Sequence, residues 1–270
     1  MDYYQKYIKY KNKYISLKNN NSLQTGGYNH ATVILITRQI SYTILERLKK
    51  LLALNIRAYI MCDNKPIYSD KSLSKYILYY SNKKMAKLGW TGLYLPKTIH
   101  KITAWDKGTY FAYKLNLPYV WIIEDDVYWN NYDKIKELLE INNDADLISY
   151  PLHDSYIENP NWYHWKHSNQ DEITLDKNKW STSFNQITRL SNRLLKRIAE
   201  LAILRKRLYF HEVMFITLCK INNYKIVYLS DLKLDLYINI RWDKPFTENQ
   251  VKEYIEKNKN ILLHPVKYNL

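Results

Sequence analysis

The apolar positions of this chain fall into short β-branched runs separated by stretches of helical period. Thr32-Val-Ile-Leu-Ile-Thr37 is apolar throughout its interior, as expected of a strand covered on both faces, and Ile56–Cys62 repeats the pattern. Between them, Tyr42–Leu54 carries leucines at helical spacing behind Ser41, a suitable N-cap, with Glu46 and Arg47 assigned to the polar side. Tyr76–Tyr80 fits a short strand or a helical turn. Ile102–Leu115 fits a helix, Tyr119–Ile123 a strand opened by Pro118, Tyr132–Ile141 a helix, and Asp146–Tyr150 a strand. Such alternation predicts an α/β fold with a mainly parallel, mixed sheet flanked by helices.

Beyond Pro151 the periodicity fades. Residues 151–182 are rich in Trp, Tyr, His and Asn and read as a long surface loop carrying binding contacts. Ser183–Thr188 then predicts a strand. Ser191 caps a basic helix reaching Lys206, Val213–Ile221 an apolar helix, and Lys225–Leu229 a strand, followed by an irregular tail to His264-Pro265. Residues 1–27 stand apart. Tyr3, Tyr7, Tyr10, Tyr14 and Leu17 recur at helical spacing among lysines, and Asn19–Gly27 has linker composition, so this segment reads as a basic helical arm on a hinge.

The candidate chemistry sits at the end of the Tyr119 strand, in Glu124-Asp125-Asp126. Adjacent carboxylates repel one another and shed hydration where the fold buries them, a cost that a divalent cation offsets. Mg²⁺ and Mn²⁺ favour carboxylate oxygens, and open α/β sheets bind ligands at the carboxyl ends of their strands. A solvated acidic turn is the plain alternative. On repulsion alone, Asp126→Ala should leave the metal-free fold as stable as before, or more so.

Composition trims the possibilities. Five glycines in 270 residues, with no G-x-G-x-x-G and no G-K-[ST], argue against a glycine-rich phosphate loop. The net charge of +15 suits an anionic partner or simple solubility. Cys62 and Cys219, the two cysteines, suggest neither a disulfide framework nor a zinc site. No apolar run approaches the ~18 residues of a membrane span. A soluble, cytoplasmic protein is the expectation.

Taken in order, Asp63 at a strand end, Trp105 on a helix, the acidic triplet, Glu212 at a helix start and a late His264 resemble the GT-A fold glycosyltransferases. The stretches Ala104-Trp-Asp-Lys107, Trp121–Val127, Thr188–Ser191 and Phe210–Phe215 are similar to segments of eukaryotic and algal transferases of this kind. The Lys- and Tyr-rich N-terminus looks like those of proteins from amoeba-infecting giant viruses, which would place the chain in the host cytoplasm or the virion. The likeness covers residues 31–265 and implies a single GT-A domain, 28–270, with a nucleotide-sugar half (28–150) and an acceptor half (151–270). It implies Mn²⁺ or Mg²⁺ as cofactor, a UDP-sugar as donor, and a glycan or glycoprotein hydroxyl as acceptor.

The same resemblance distributes roles. Asp126 and His264 would contact the metal, Asp125 the ribose or a metal-bound water, and Glu124 would orient neighbours. Glu212, held ionised by the helix dipole, would be the general base of an inverting reaction, with Tyr209 and His211 as alternatives. Thr37, Arg38, Asp63 and Lys267 would bind the nucleotide, and Trp162, His164 and Trp165 the acceptor. Arg189, just before the basic helix, is a candidate phosphate contact. Two other classes compete. A nucleic-acid-binding protein would use the charge, although no such module is recognisable, which makes nucleic acid an unlikely partner. A metal-dependent nuclease or phosphotransferase would draw further ligands from Asp146 or Asp231.

Overall fold

The structure, a computed structural model, describes residues 31–67, 71–92, 102–162, 165, 177–241 and 244–267. The predicted arm at 1–27 therefore lies outside the described residues. A seven-stranded mixed sheet has the order β3-β2-β1-β4-β7-β6-β8. Its strands are β1 (Thr32–Thr37), β2 (Arg57–Cys62), β3 (Ile77–Tyr79), β4 (Tyr119–Glu124), β6 (Leu147–Ser155), β7 (Ser181–Ser191) and β8 (Ile226–Tyr228). All neighbouring pairs are parallel except those of β7, which runs antiparallel to both β4 and β6.

Side-chain alternation along β1 and β4 separates two layers. Val33, Leu35, Trp121 and Ile123 face helices α1 (Tyr42–Ala53) and α4 (Tyr132–Leu139). Ile34, Ile36, Val120 and Ile122 face α3 (Ala104–Leu115), α5 (Asn192–Arg205) and α6 (His211–Ile221). Both faces of these strands are covered, which is why they read as continuous apolar runs. The short helix α2 (Asn82–Leu88) precedes α3 and was not foreseen; its seven residues, three of them lysines, bury little beyond Met85 and so carry almost no apolar period.

The predicted irregular tail is structured. β9 (Tyr237–Ile240), α7 (Glu248–Lys257) and β10 (Ile261–His264) follow in order, and β10 pairs with β9 and with β5 (Tyr128–Trp129) in a second, three-stranded sheet. Four-residue strands are too short to show a period, so only the pairing reveals them. The predicted loop at 151–182 is also shorter than expected. β6 runs on through Pro151 to Ser155 and β7 begins at Ser181, so the expected boundary at residue 150 falls inside a strand.

Arg47 corrects the reading of α1. With Ile44, Leu48 and Leu51 it lies on the buried face, 8% exposed, although it carries a charge. Arg189 is likewise interior. Its guanidinium donates to the carbonyls of Ile141 (3.1 Å), Asn143 (2.5 Å) and Ala145 (3.3 Å), so it clasps the α4–β6 connection from the interior, where burial closes it to a phosphate.

Candidate metal centre

The acidic triplet is shaped by β4. Glu124 ends the strand opposite Ile36 of β1, and the amide of Val127 closes a turn on the Glu124 carbonyl at 3.2 Å. Two further contacts fix this turn. Arg47 donates to the Asp125 carbonyl at 2.7 Å, and the amide of Val266 donates to the Asp126 carbonyl at 2.8 Å. The second contact follows from β5, which starts two residues after Asp126 and pairs antiparallel with β10. That pairing delivers His264, at the end of β10, to the carboxylates.

His264 Nε2 lies 3.1 Å from Asp126 Oδ1 and 3.3 Å from Glu124 Oε2. Its Nδ1 lies 3.1 Å from the Arg241 carbonyl, which makes Nδ1 the donor there and turns Nε2 toward the carboxylates. Burial opposes a charge on this imidazole, but the bonds to Asp126 and Glu124 outweigh it and raise its pKa to about 9. The proton on His264 thus acts as counter-ion to the pair when no metal is bound. This reverses the expectation for Asp126→Ala: the substitution removes an attraction to His264⁺ as well as a repulsion.

The three side chains fit a divalent cation. One ligand atom from each of Glu124, Asp126 and His264 lies within 4.8 Å of the others. Asp126 Oδ1 is enclosed, and His264 Nε2 stands 3.1 Å from it. Once His264 gives up its proton, the two carboxylates lose their counter-charge, a cost that a cation would relieve. Two carboxylates with one imidazole suit Mn²⁺ well and Mg²⁺ less well.

Around this trio the structure places some expected residues and displaces others. Asp125 turns from the cluster to the end of β1, where its Oδ2 accepts from the Thr37 hydroxyl. Burial raises the Asp125 pKa, and the Thr37 bond opposes that rise. Glu124, expected only to orient its neighbours, instead faces His264 beside Asp126. Glu124 Oε1 is held by Trp105 Nε1 at 2.6 Å, and the Trp105 ring stacks on His211 at 4.3 Å. Trp105 is buried, and its indole donor also fixes a candidate ligand, which an apolar helical period does not signal.

Glu212 stands in the first turn of α6, 8% exposed, and accepts from Gln186 Nε2 at 3.0 Å. The expectation of a dipole-held anion fails in the metal-free molecule. Burial, then the Glu124 charge, raise its pKa to about 8, against the Gln186 bond and His264. Asp63 follows β2 and accepts from Lys107 Nζ at 3.1 Å; this lysine is wholly buried. Arg38 and Lys267 are exposed, the latter three residues beyond His264.

Of the expected acceptor residues, Trp165 is 2% exposed, packs among Tyr156, Trp162 and Trp180, and donates to the Asn159 carbonyl at 2.7 Å. It is a core residue with no open face for a ligand. Trp162 is half-buried against Trp165 and Phe210, one residue before His211. His164 lies outside the described residues. Asp146 is bound by Ser191 (2.7 Å), Arg193 and the Lys225 amide (3.0 Å). Ser191 pairs with Tyr119, so this group sits at the opposite end of β4, about 17 Å from Glu124 at ~3.3 Å per residue. Asp231 is exposed after β8. Neither joins the cluster.

No protein-family model matches the chain, and no curated protein matches it. Among solved structures, the crystal structure of A197 from STIV aligns with a TM-score of 0.34 at 10% identity, over 74% of this chain and 81% of that one. A likeness of that depth carries no argument, and the reading of the site rests on its chemistry. No helix among the described residues is long and apolar enough to cross a membrane.

Proposed function

We propose that this chain is a metal-dependent glycosyltransferase of the GT-A type, moving a sugar from a nucleoside-diphosphate donor, a UDP-sugar by preference, to a hydroxyl on a glycan or protein. One observation carries the proposal: Glu124, Asp126 and His264 converge at the carboxyl end of β4, with one ligand atom of each within 4.8 Å of the others. A divalent cation held there supplies charge neutralisation for a departing diphosphate. Thr37 at the end of β1, Asp125 just past β4 and Asp63 after β2 would line the nucleotide side, since all three stand at carboxyl ends of adjacent strands.

Glu212 is the candidate base of an inverting transfer. Its carboxylate would accept the acceptor hydroxyl's proton as that oxygen attacks the anomeric carbon, and a pKa near the working pH favours this role. Arg241, through its carbonyl, and Trp105, through its indole, would hold the ligand side chains in place. The nuclease or phosphotransferase alternative loses its extra ligands with the displacement of Asp146 and Asp231.

The test is a thermal-shift screen of the full chain with UDP or GDP, each with and without Mn²⁺, followed by donor-hydrolysis and transfer assays. Stabilisation by nucleotide only when Mn²⁺ is present, lost in Asp126→Ala, is the expected result. Nucleotide binding that ignores both the metal and Asp126 would remove the basis of the proposal.

A further inference from the structure

The last turn of α5 breaks the pattern of the rest of that helix. Leu194, Leu195, Ile198, Leu201 and Ala202 are buried, but Ile203 and Leu204 are 43% and 52% exposed, and Arg205 and Lys206 beside them are exposed too. The helix end thus presents an adjacent aliphatic pair and two cations together on the surface.

A second basic element adjoins it. Gly89, the left-handed C-cap of α2 at φ 80°, abuts α5 so closely that a Cβ there would stand 2.0 Å from the Ala202 carbonyl oxygen and 2.9 Å from Lys206 Cα. The Leu208 amide continues the seam by donating to the Thr91 carbonyl at 2.7 Å. The C-terminal end of α2, a helix with the exposed lysines Lys83, Lys84 and Lys87, therefore adjoins the end of α5 that carries Ile203, Leu204, Arg205 and Lys206. Neither Asn82–Leu88 nor Ile203–Arg207 contains an acidic residue, and Glu200, one turn earlier, is paired with Arg197 at 2.7 Å.

We infer that this surface docks the protein on an anionic lipid bilayer. Cations at the headgroups and aliphatic side chains entering the interface are the two contributions that peripheral binding combines. The exposed apolar groups of the patch are aliphatic, which insert between lipids but do not stack on bases as a nucleic-acid surface requires. The placement also orients the molecule. α5 begins at Ser191, opposite Tyr119, and its 14 residues rise about 21 Å toward the Glu124 end of the sheet. The chain then reaches His211, stacked on Trp105, so docking brings the candidate metal centre to the membrane-facing end. The inference is independent of the reaction proposed for that centre.

The experiment is co-sedimentation of the full chain with phosphatidylcholine vesicles, with and without phosphatidylserine, at low and high salt. Binding should require phosphatidylserine and weaken with salt. Arg205→Glu with Lys206→Glu should lower affinity by about tenfold or more, since one basic side chain at an anionic surface is worth ~5-fold, and Ile203→Asp with Leu204→Asp, which removes the inserting groups and adds repelled charge, should do at least as much. A Leu204→Cys variant carrying an environment-sensitive dye should shift to the blue on vesicles. Cys62 and Cys219 are buried and will not compete for the label. Failure to bind anionic vesicles, binding unaffected by both double variants, or an unshifted dye on bound protein would overturn the inference. So would capture of single-stranded oligonucleotide in preference to vesicles.

Discussion

Metal binding at the Glu124–Asp126–His264 cluster must compete with a proton, and the structure gives the size of the competition. His264 has its pKa raised from 6.5 to about 9 by the two carboxylates, so near neutrality Nε2 is protonated and unable to ligate. Each unit of pH below about 9 should weaken Mn²⁺ about tenfold, which makes the penalty at pH 7 about a hundredfold. Calorimetric Mn²⁺ titrations at pH 6.5, 7.5 and 8.5, under argon and in buffers of different ionisation enthalpy, should show tighter binding as pH rises and about one proton released per ion. Glu212 can add to the release, because its raised pKa of about 8 owes part to Glu124; Glu212→Gln isolates the histidine's share. His264→Gln should flatten the pH dependence and lower affinity throughout. The same shift fixes the metal-free stability. A group with a raised folded pKa contributes fully below its unfolded value and loses the contribution as pH rises through the folded one. At about 1.4 kcal/mol per unit, His264 contributes on the order of 3 kcal/mol below pH 6.5, vanishing above about 9. An Mn²⁺ affinity independent of pH, with no proton released, would refute the protonated-histidine account.

Other outcomes follow from single contacts. Glu212→Gln should cut transfer by about 10²–10⁴-fold if Glu212 is the base, while donor-nucleotide affinity holds. It should also raise the melting temperature of the metal-free protein increasingly from about pH 5 to 8, because the unfolded carboxyl ionises there while the buried one resists; unchanged turnover and stability would dismiss both roles. Trp105→Phe keeps a ring on His211 but deletes the donor to Glu124, and should weaken Mn²⁺ about 10–100-fold in the same titrations. Arg189→Ala strands three carbonyl acceptors and should cost roughly 3 kcal/mol in urea unfolding, without altering metal affinity.

The sequence by itself determined the strands buried on both faces and the helices between them. Runs such as Thr32–Thr37 and Tyr119–Ile123 are apolar at every interior position because helices cover both sides, and that demand is written residue by residue. It also determined that three carboxylates end β4, and the clash of like charges there pointed to a cation. What it could not determine was which carboxylate faces that cation. The turn after Glu124 is oriented by Arg47 from α1 and Val266 from the far end of the chain, contacts separated from it by 78 residues or more. Those contacts send Asp125 to Thr37 and leave Glu124 and Asp126 to His264. The same holds for the protonation states. A helix start suggested an ionised Glu212, but burial against β7 and beside Glu124 outweighs a dipole that is worth about 1 kcal/mol. Local pattern fixes which elements form, because each residue's exposure repeats with the element's period. Electrostatics at the site depends on distances between residues far apart in sequence, and only the packed chain sets those.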